Sequence, residues 1–158
     1  MENKQHIATA KGENLGLSRK FSIEVATFIR GKSLADAKKK MQDVMTLKVA
    51  VPFRKYHMDL GHKPGPMGPG RFPTKVAKEM LRLLNSAEMN ALNKGLDIEN
   101  LYVARVVANK GNTQMKPGRY RGRRAKRTHI EITLAEKEKK KTEKKETAKT
   151  SPKEKKTK

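Results

Sequence analysis

"LYVARVVANKGNTQMKPGRYRGRRAKRTHIEITL", residues 101–134, opens and closes with a two-residue period and carries a glycine-studded basic cluster in between. In "LYVARVVAN", Leu101, Val103 and Val107 alternate with Tyr102, Ala104 and Val106. In "HIEITL", Ile130, Ile132 and Leu134 alternate with His129, Glu131 and Thr133. Successive strand side chains point to opposite faces, so both segments are predicted strands. The connection from Asn109 to Thr128 is twenty residues long, against about 2 to 5 for an ordinary hairpin loop. No acidic residue occurs from Asn100 to Ile130, whereas nine Lys/Arg do, seven of them between Lys116 and Arg127. Two structures account for this: a floppy basic loop, or a hairpin whose paired arms run on beyond the core. Arms of about a dozen residues at ~3.4 Å each reach roughly 40 Å. An isolated two-stranded ribbon is marginal in water, so such a projection needs support from outside. Its charge says that the support is rich in phosphate.

The remainder of the chain agrees with a polyanionic partner. The net charge is +22 over 158 residues, with 38 Lys/Arg against 16 Asp/Glu. That length suggests one domain with extensions, and 35% hydrophobic and 4% aromatic residues allow only a small core. Nucleic acid is the first candidate and an anionic membrane surface the second. No apolar run approaches the roughly 20 residues of a spanning helix. Met1–Asn14 is polar, lacks the apolar core of a secretory signal, and is expected to be a flexible lead-in. With no cysteine, disulfides and thiolate metal sites are excluded. A soluble intracellular protein is expected. From Ala135 to Lys158 there are eleven Lys and five Glu with only two alanines. This tail can bury almost nothing and is predicted to be disordered, the alternative being a solvated helix supported by Glu/Lys pairs. Without its +6, residues 1–134 still carry +16.

Three helices are predicted. "SIEVATFIRG" offers Ser22 as N-cap, Glu24 in the first turn and Gly31 past the end, with Val25, Phe28 and Ile29 as its apolar face. "SLADAKKKMQDVM" has Ser33 as cap with Asp36 three residues on, and a stripe of Leu34, Ala37, Met41, Val44 and Met45. "PTKVAKEMLRLLNSAEMNALNKG" starts at Pro73 and stops at Gly95, with Val76, Met80, Leu83, Leu84, Ala87 and Ala91 facing the core.

The insert of residues 50–73 separates the second and third helices. Five of the seven prolines and four of the eleven glycines fall between Pro52 and Pro73, so no regular element is expected there. A loop this long in a compact domain is usually functional or disordered. Its Arg54, Lys55, Tyr56, His57, His62, Lys63 and Arg71 mix cations with rings, a combination suited to phosphate contact and to base or sugar stacking. His57 and His62 lack an evident third ligand, so no metal is expected.

"FIRGKSLADA", "VPFRKY", "GRFPTKVAKEMLRLLNSAEMNALNKGLD", "NKG" and "YRGRRAKRTHIEI" occur in that order. In this order they resemble the universal large-subunit ribosomal protein twenty-two family, number seventeen in eukaryotic naming. The resemblance covers roughly residues 15–134 and is strongest from Gly70 to Asp97. "VPFRKY" resembles the archaeal and eukaryotic branch, and the lack of a long aromatic-rich N-terminal segment leans archaeal. The resemblance implies an α+β fold: three helices packed on a small three-stranded antiparallel sheet, with a long projecting β-hairpin at 101–134. It implies an rRNA-binding domain at 15–134, seated near the outer opening of the nascent-chain exit tunnel. Its hairpin would thread through rRNA and line part of the tunnel wall. On that basis Lys110, Lys116, Arg119, Tyr120 and Arg121 fall on the hairpin, as do Arg123, Arg124, Lys126 and Arg127. Arg30 and Lys32, with Arg54, Lys55 and Arg71, fall on rRNA-facing surfaces. The return segment from Gly122 to His129 is shorter than in most relatives, so a stubbier hairpin is expected.

Chemistry gives the same partner class. Cations that displace phosphate counterions bind with strong salt dependence, and Arg forks onto phosphate or stacks on a base. Gly118 and Gly122 allow sharp turns and close approach of the backbone to RNA. The expected partners are large-subunit rRNA, neighbouring large-subunit proteins and the nascent polypeptide near the hairpin tip, in a cytoplasmic ribosome. No membrane, cofactor or small-molecule substrate is expected. "KPGPMGPG" lacks the G-K-[ST] ending of a phosphate loop, and no nucleophile elbow occurs, so no enzyme is expected. The rival is a free-standing chromatin-type DNA-binding protein.

Overall fold

The structure, a computed structural model, describes residues 6–65, 67–120 and 122–137. Strand β1 (Ile7–Leu15) leads into helices α1 (Arg19–Ile29) and α2 (Leu34–Met45). The short strands β2 (Val51–Pro52) and β3 (Gly70–Arg71) precede α3 (Thr74–Asn93), and β4 (Leu101–Lys110) and β5 (Thr128–Glu136) complete the order. The fold is α+β, with three helices on one face of a three-stranded antiparallel sheet of order β1-β5-β4.

The central strand β5 follows its sequence pattern. Thr128, Ile130, Ile132 and Leu134 are buried under the helices, while His129, Glu131 and Thr133 lie half-buried on the far face. Strand β4 departs from its pattern. Val103 pairs with Leu134 but Arg105 pairs with Thr133, so Ala104 is an extra residue in a bulge. A bulge places two residues opposite one and reverses the facing of all that follow. Val106 therefore turns into the core, and Val107, expected there from strict alternation, does not.

The third strand comes from the segment expected to be a flexible lead-in. Ile7–Leu15 pairs with β5 from Ile7↔Ala135 to Leu15↔Thr128. Its core-facing residues are Ala8, Ala10 and Gly12, which carry no strand preference. Their smallness lets α3 lie close. A Cβ on Gly12 would sit 3.1 Å from both terminal methyl carbons of Leu83.

Helix α1 begins one turn before the expected Ser22. Ser18 holds the N-cap position, and Ser22 is buried inside the helix, its hydroxyl donating to the Ser18 carbonyl at 3.0 Å. After the helix Gly31 takes φ +76°, and its N–H donates to the Val103 carbonyl at 2.8 Å. The Val103 N–H returns to the Lys32 carbonyl at 2.9 Å. The α1–α2 turn thus caps the outer edge of β4. Ser33 caps α2 as expected, accepting from the Asp36 N–H at 3.1 Å. Met45, placed in the α2 stripe by spacing, is exposed instead. In α3 the predicted core face is buried in full, joined by Ala77, and Gly95 ends it at φ +72°.

The insert contains a regular element after all. Strands β2 and β3 pair antiparallel, Phe53 N–H donates to the Pro69 carbonyl at 3.0 Å, and Lys63 N–H to the Gly68 carbonyl at 3.1 Å. Prolines tolerate such a two-residue edge pairing because few backbone donors are needed. Wholly buried Phe53 fastens the insert to the core. Of the tail expected to be disordered, Ala135 and Glu136 finish β5. The tail beyond Lys137 lies outside the described residues.

Candidate nucleic-acid interface

The basic connection is a continuation of the hairpin rather than a floppy loop. Beyond Lys110↔Thr128, the Gly111 N–H donates to the Arg127 carbonyl at 2.9 Å. Ala125 N–H donates to the Gln114 carbonyl and Lys116 N–H to the Arg123 carbonyl, both at 2.8 Å, with Met115 bridged to Arg124. The outgoing arm spends one residue more than the return arm between the first two of these bonds. At the tip, Gly118 (φ +124°) and Gly122 (φ +90°) occupy backbone regions closed to other residues. Tyr120 is 66% exposed, and the Arg123 guanidinium lies 4.8 Å from its ring centroid. Lys110, Lys116, Arg119, Arg123, Arg124 and Lys126 are all exposed, whereas Arg121 lies outside the described residues. Among the described residues Lys11 pairs with Glu131 and Lys38 with Glu88, and His6 contacts Glu136. None of them neutralises a cation of this finger.

Arg127 sits at the root, half-buried. Its Nη1 donates to the Asn14 carbonyl at 3.4 Å, and its Nε is enclosed without an acceptor. This guanidinium is under-bonded within the protein, and an anion would relieve it.

The insert is aimed by a buried carboxylate. Glu24 accepts the backbone N–H groups of Arg54 (3.2 Å), Lys55 (2.9 Å) and Tyr56 (2.7 Å). Arg54 and Lys55 thus point outward, and Lys20 and Lys55 each place Nζ 5.8 Å from the Tyr56 ring centre. From sequence Glu24 is expected in the first helical turn, but with α1 starting at Arg19 it lies in the second. The available signal was its spacing from Phe21 and Phe28, which put it on the face turned to the insert. His57 follows in a left-handed conformation, φ +58°. Its ring meets Phe21 edge-on at 5.5 Å, and Phe21 meets Phe53 edge-on at 5.2 Å.

The other expected contacts are dispersed. Arg30 donates from Nη2 to the Val106 carbonyl at 3.1 Å, tying α1 to β4. Lys32 and Lys40 flank the Phe28 ring at 5.7 and 5.4 Å. A hydrogen bond with Lys32 holds Lys40 below the ordinary lysine value, with burial and Lys32's charge adding to it and Asp36 opposing. His62 bridges to Pro69, Lys63 lies 5.8 Å from the Phe72 ring and Arg71 is exposed on β3. Among the described residues, no hydrogen bond or ring contact joins these three to the finger.

What the fold does bring together is the start of α1, His57 and the finger root. Arg19, Lys20, Phe21, His57, Lys110 and Arg127 line a cleft of about 480 Å³, with Ser18, Thr113 and Lys126 completing it. Arg19 and Lys20 were not singled out in the sequence, because nothing there places them beside residues ninety positions away. Among the described residues no group of three or more His, Asp or Glu could hold a metal, and no helix is long and apolar enough to cross a membrane.

The sequence profile described as Ribosomal protein L22p/L17e matches residues 10–135. The chain belongs to this family. A large ribosomal subunit protein uL22 of Methanococcoides burtonii is 45% identical over 118 residues, covering 73% of this chain and 78% of that protein. The uL22 proteins of Methanosphaera stadtmanae and Nanoarchaeum equitans are 39% and 37% identical over 139 residues each. They cover 84% of this chain, and 90% and 80% of their own lengths. The relatives named here are archaeal, within the archaeal and eukaryotic branch that "VPFRKY" resembles and on the side to which the short N-terminal segment leaned. The L22p/L17e match starts in β1 and ends in β5, neighbouring strands in which Ala10 opposes Ile132. The matched span is thus one closed unit with the finger between its ends.

Proposed function

We propose that this chain is a structural constituent of the large ribosomal subunit, in the cytoplasm, that binds large-subunit rRNA through its finger and insert. The finger tip helps to line the nascent-chain exit tunnel. Its relatives bear the name of large-subunit proteins, and the family is structural rather than enzymatic. The observation that carries the rRNA reading is the finger itself. Its cations meet no carboxylate among the described residues, and beyond β4 and β5 three backbone hydrogen bonds among those residues hold its arms. A ribbon so weakly held and so charged takes its shape from a polyanion around it. The rRNA-binding unit is the span from β1 to β5, with neighbouring ribosomal proteins and, at the tip, the nascent polypeptide as further partners.

The test replaces Arg119, Arg123 and Arg124 by Ala. Circular dichroism and melting should report an unchanged helical core. Against rRNA fragments, the slope of log affinity on log salt should fall by roughly 0.7 to 0.9 per cation removed. In cells the variant should leave large subunits incompletely assembled. Normal subunits, or native protein sedimenting with chromosomal DNA instead of large subunits, would overturn the proposal.

A further inference from the structure

We infer that the cleft at the finger root receives one unstacked RNA nucleotide, its base against His57 and Phe21 and its phosphate among Lys110, Lys126 and Arg127. This rests on the rRNA-binding reading above and assigns it a specific pocket.

The cleft volume of about 480 Å³ lies within the roughly 300 to 1,000 Å³ typical of small-ligand sites. Its walls come from four separate stretches of chain, at 18–21, 57, 110–113 and 126–127. The rings form a chain from the core outward: buried Phe53, half-buried Phe21, exposed His57. Glu24 clamps the residues just before His57. His57 itself holds φ +58°, which disfavours any residue with a side chain. Strain of this kind persists where the surroundings impose it, and it gathers at binding sites. Here it keeps an imidazole at the mouth of the cleft, where glycine would have been easier for the backbone.

The charge on the walls is of one sign. Arg19, Lys20, Lys110, Lys126 and Arg127 contribute, and among the described residues no carboxylate lines the cleft. A paired RNA helix offers its phosphates outward but hides the faces of its bases, so it cannot engage rings inside a cleft. A splayed nucleotide brings a phosphate and a bare base face together, which matches cations beside rings.

The experiment measures binding of the full chain to two RNA hairpins, identical except that one carries a single bulged nucleotide, at one salt concentration. Native protein should prefer the bulged RNA by roughly tenfold, the size of one base-stacking contact. His57→Gly removes the ring while suiting the backbone, so the fold should hold. It should reduce affinity for the bulged RNA to that for the paired RNA and leave the salt slope unchanged. Phe21→Leu, which keeps apolar packing on Phe53, should do the same. Equal binding of both RNAs by native protein, or an equal loss for both in the variants, would overturn the pocket while leaving rRNA binding in place. Failure of native protein to bind either RNA would instead remove the broader reading on which the pocket rests.

Discussion

Glu24 Oε1 lies 2.7 Å from the backbone nitrogen of Tyr56, and the same carboxylate also takes the N–H groups of Lys55 and Arg54. A single buried anion therefore sets the direction of the most cationic part of the insert. Hydrogen bonds to an ionised acceptor are among the stronger ones. Glu24→Gln preserves the shape but turns one acceptor into a donor facing other donors. Loss of about 1 to 3 kcal/mol in chemical denaturation is expected, with faster amide exchange at residues 54–56. RNA affinity should fall even though the protein becomes more positive, a sign opposite to that of a simple charge effect.

The two arms of the finger pack tightly at its root. A Cβ on Gly111 would lie 3.0 Å from the Arg127 Cβ and 3.1 Å from its carbonyl carbon. Gly111→Ala must push the arms apart or tilt the return strand. Overpacking of this sort costs about 1 to 3 kcal/mol. The melting temperature should drop and the Gly111–Arg127 hydrogen bond should lose protection, while Gly118→Ala, with nothing within 4 Å, should disturb only the tip.

Hydrogen exchange should divide β5 from its own extension. Amides of Ile130, Ile132 and Leu134 lie in a strand paired on both sides and should exchange only through large-scale opening. Amides between residues 112 and 126 should exchange fast in free protein and become protected with bound rRNA. Strong protection without RNA would show that the ribbon supports itself.

Lys40 gives the fold a dependence on alkaline pH. Its hydrogen bond with Lys32 leads the effects that hold it below the ordinary lysine value. Between its folded and unfolded values the unfolded chain binds more protons, so stability rises with pH through that window. Below that window the crowded charged form is fully present. Lys40→Gln should therefore raise the melting temperature slightly at about pH 7 and abolish the rise towards about pH 10. A rise that persists in the variant would assign it to other groups.

Much of this was readable from the chain. The α3 face, the Ser33 cap, Gly31, Gly95 and the alternation of β5 follow from periods and caps that need no distant partner. The failures share a physical cause. Val106 replaced Val107 because a bulge at Ala104 reset the strand's phase, and a bulge leaves no local mark when its residues are all strand-compatible. Strand β1 escaped notice because Ala8, Ala10 and Gly12 were chosen for the approach of α3 rather than for strand preference. Glu24 and the finger-root cleft depend on segments from thirty to more than a hundred residues apart, which only the assembled fold brings together. The finger cations, by contrast, were legible at once, because an acid-free basic run needs no tertiary context.

Strand β5 is both the middle of the sheet and the return arm of the finger. Tension on the tip would run lengthwise into the strand best anchored in the molecule, loading its hydrogen bonds on both flanks in shear together rather than peeling them one by one. The domain is thereby built as a mechanical anchor, so that a drag on the finger meets the whole sheet at once.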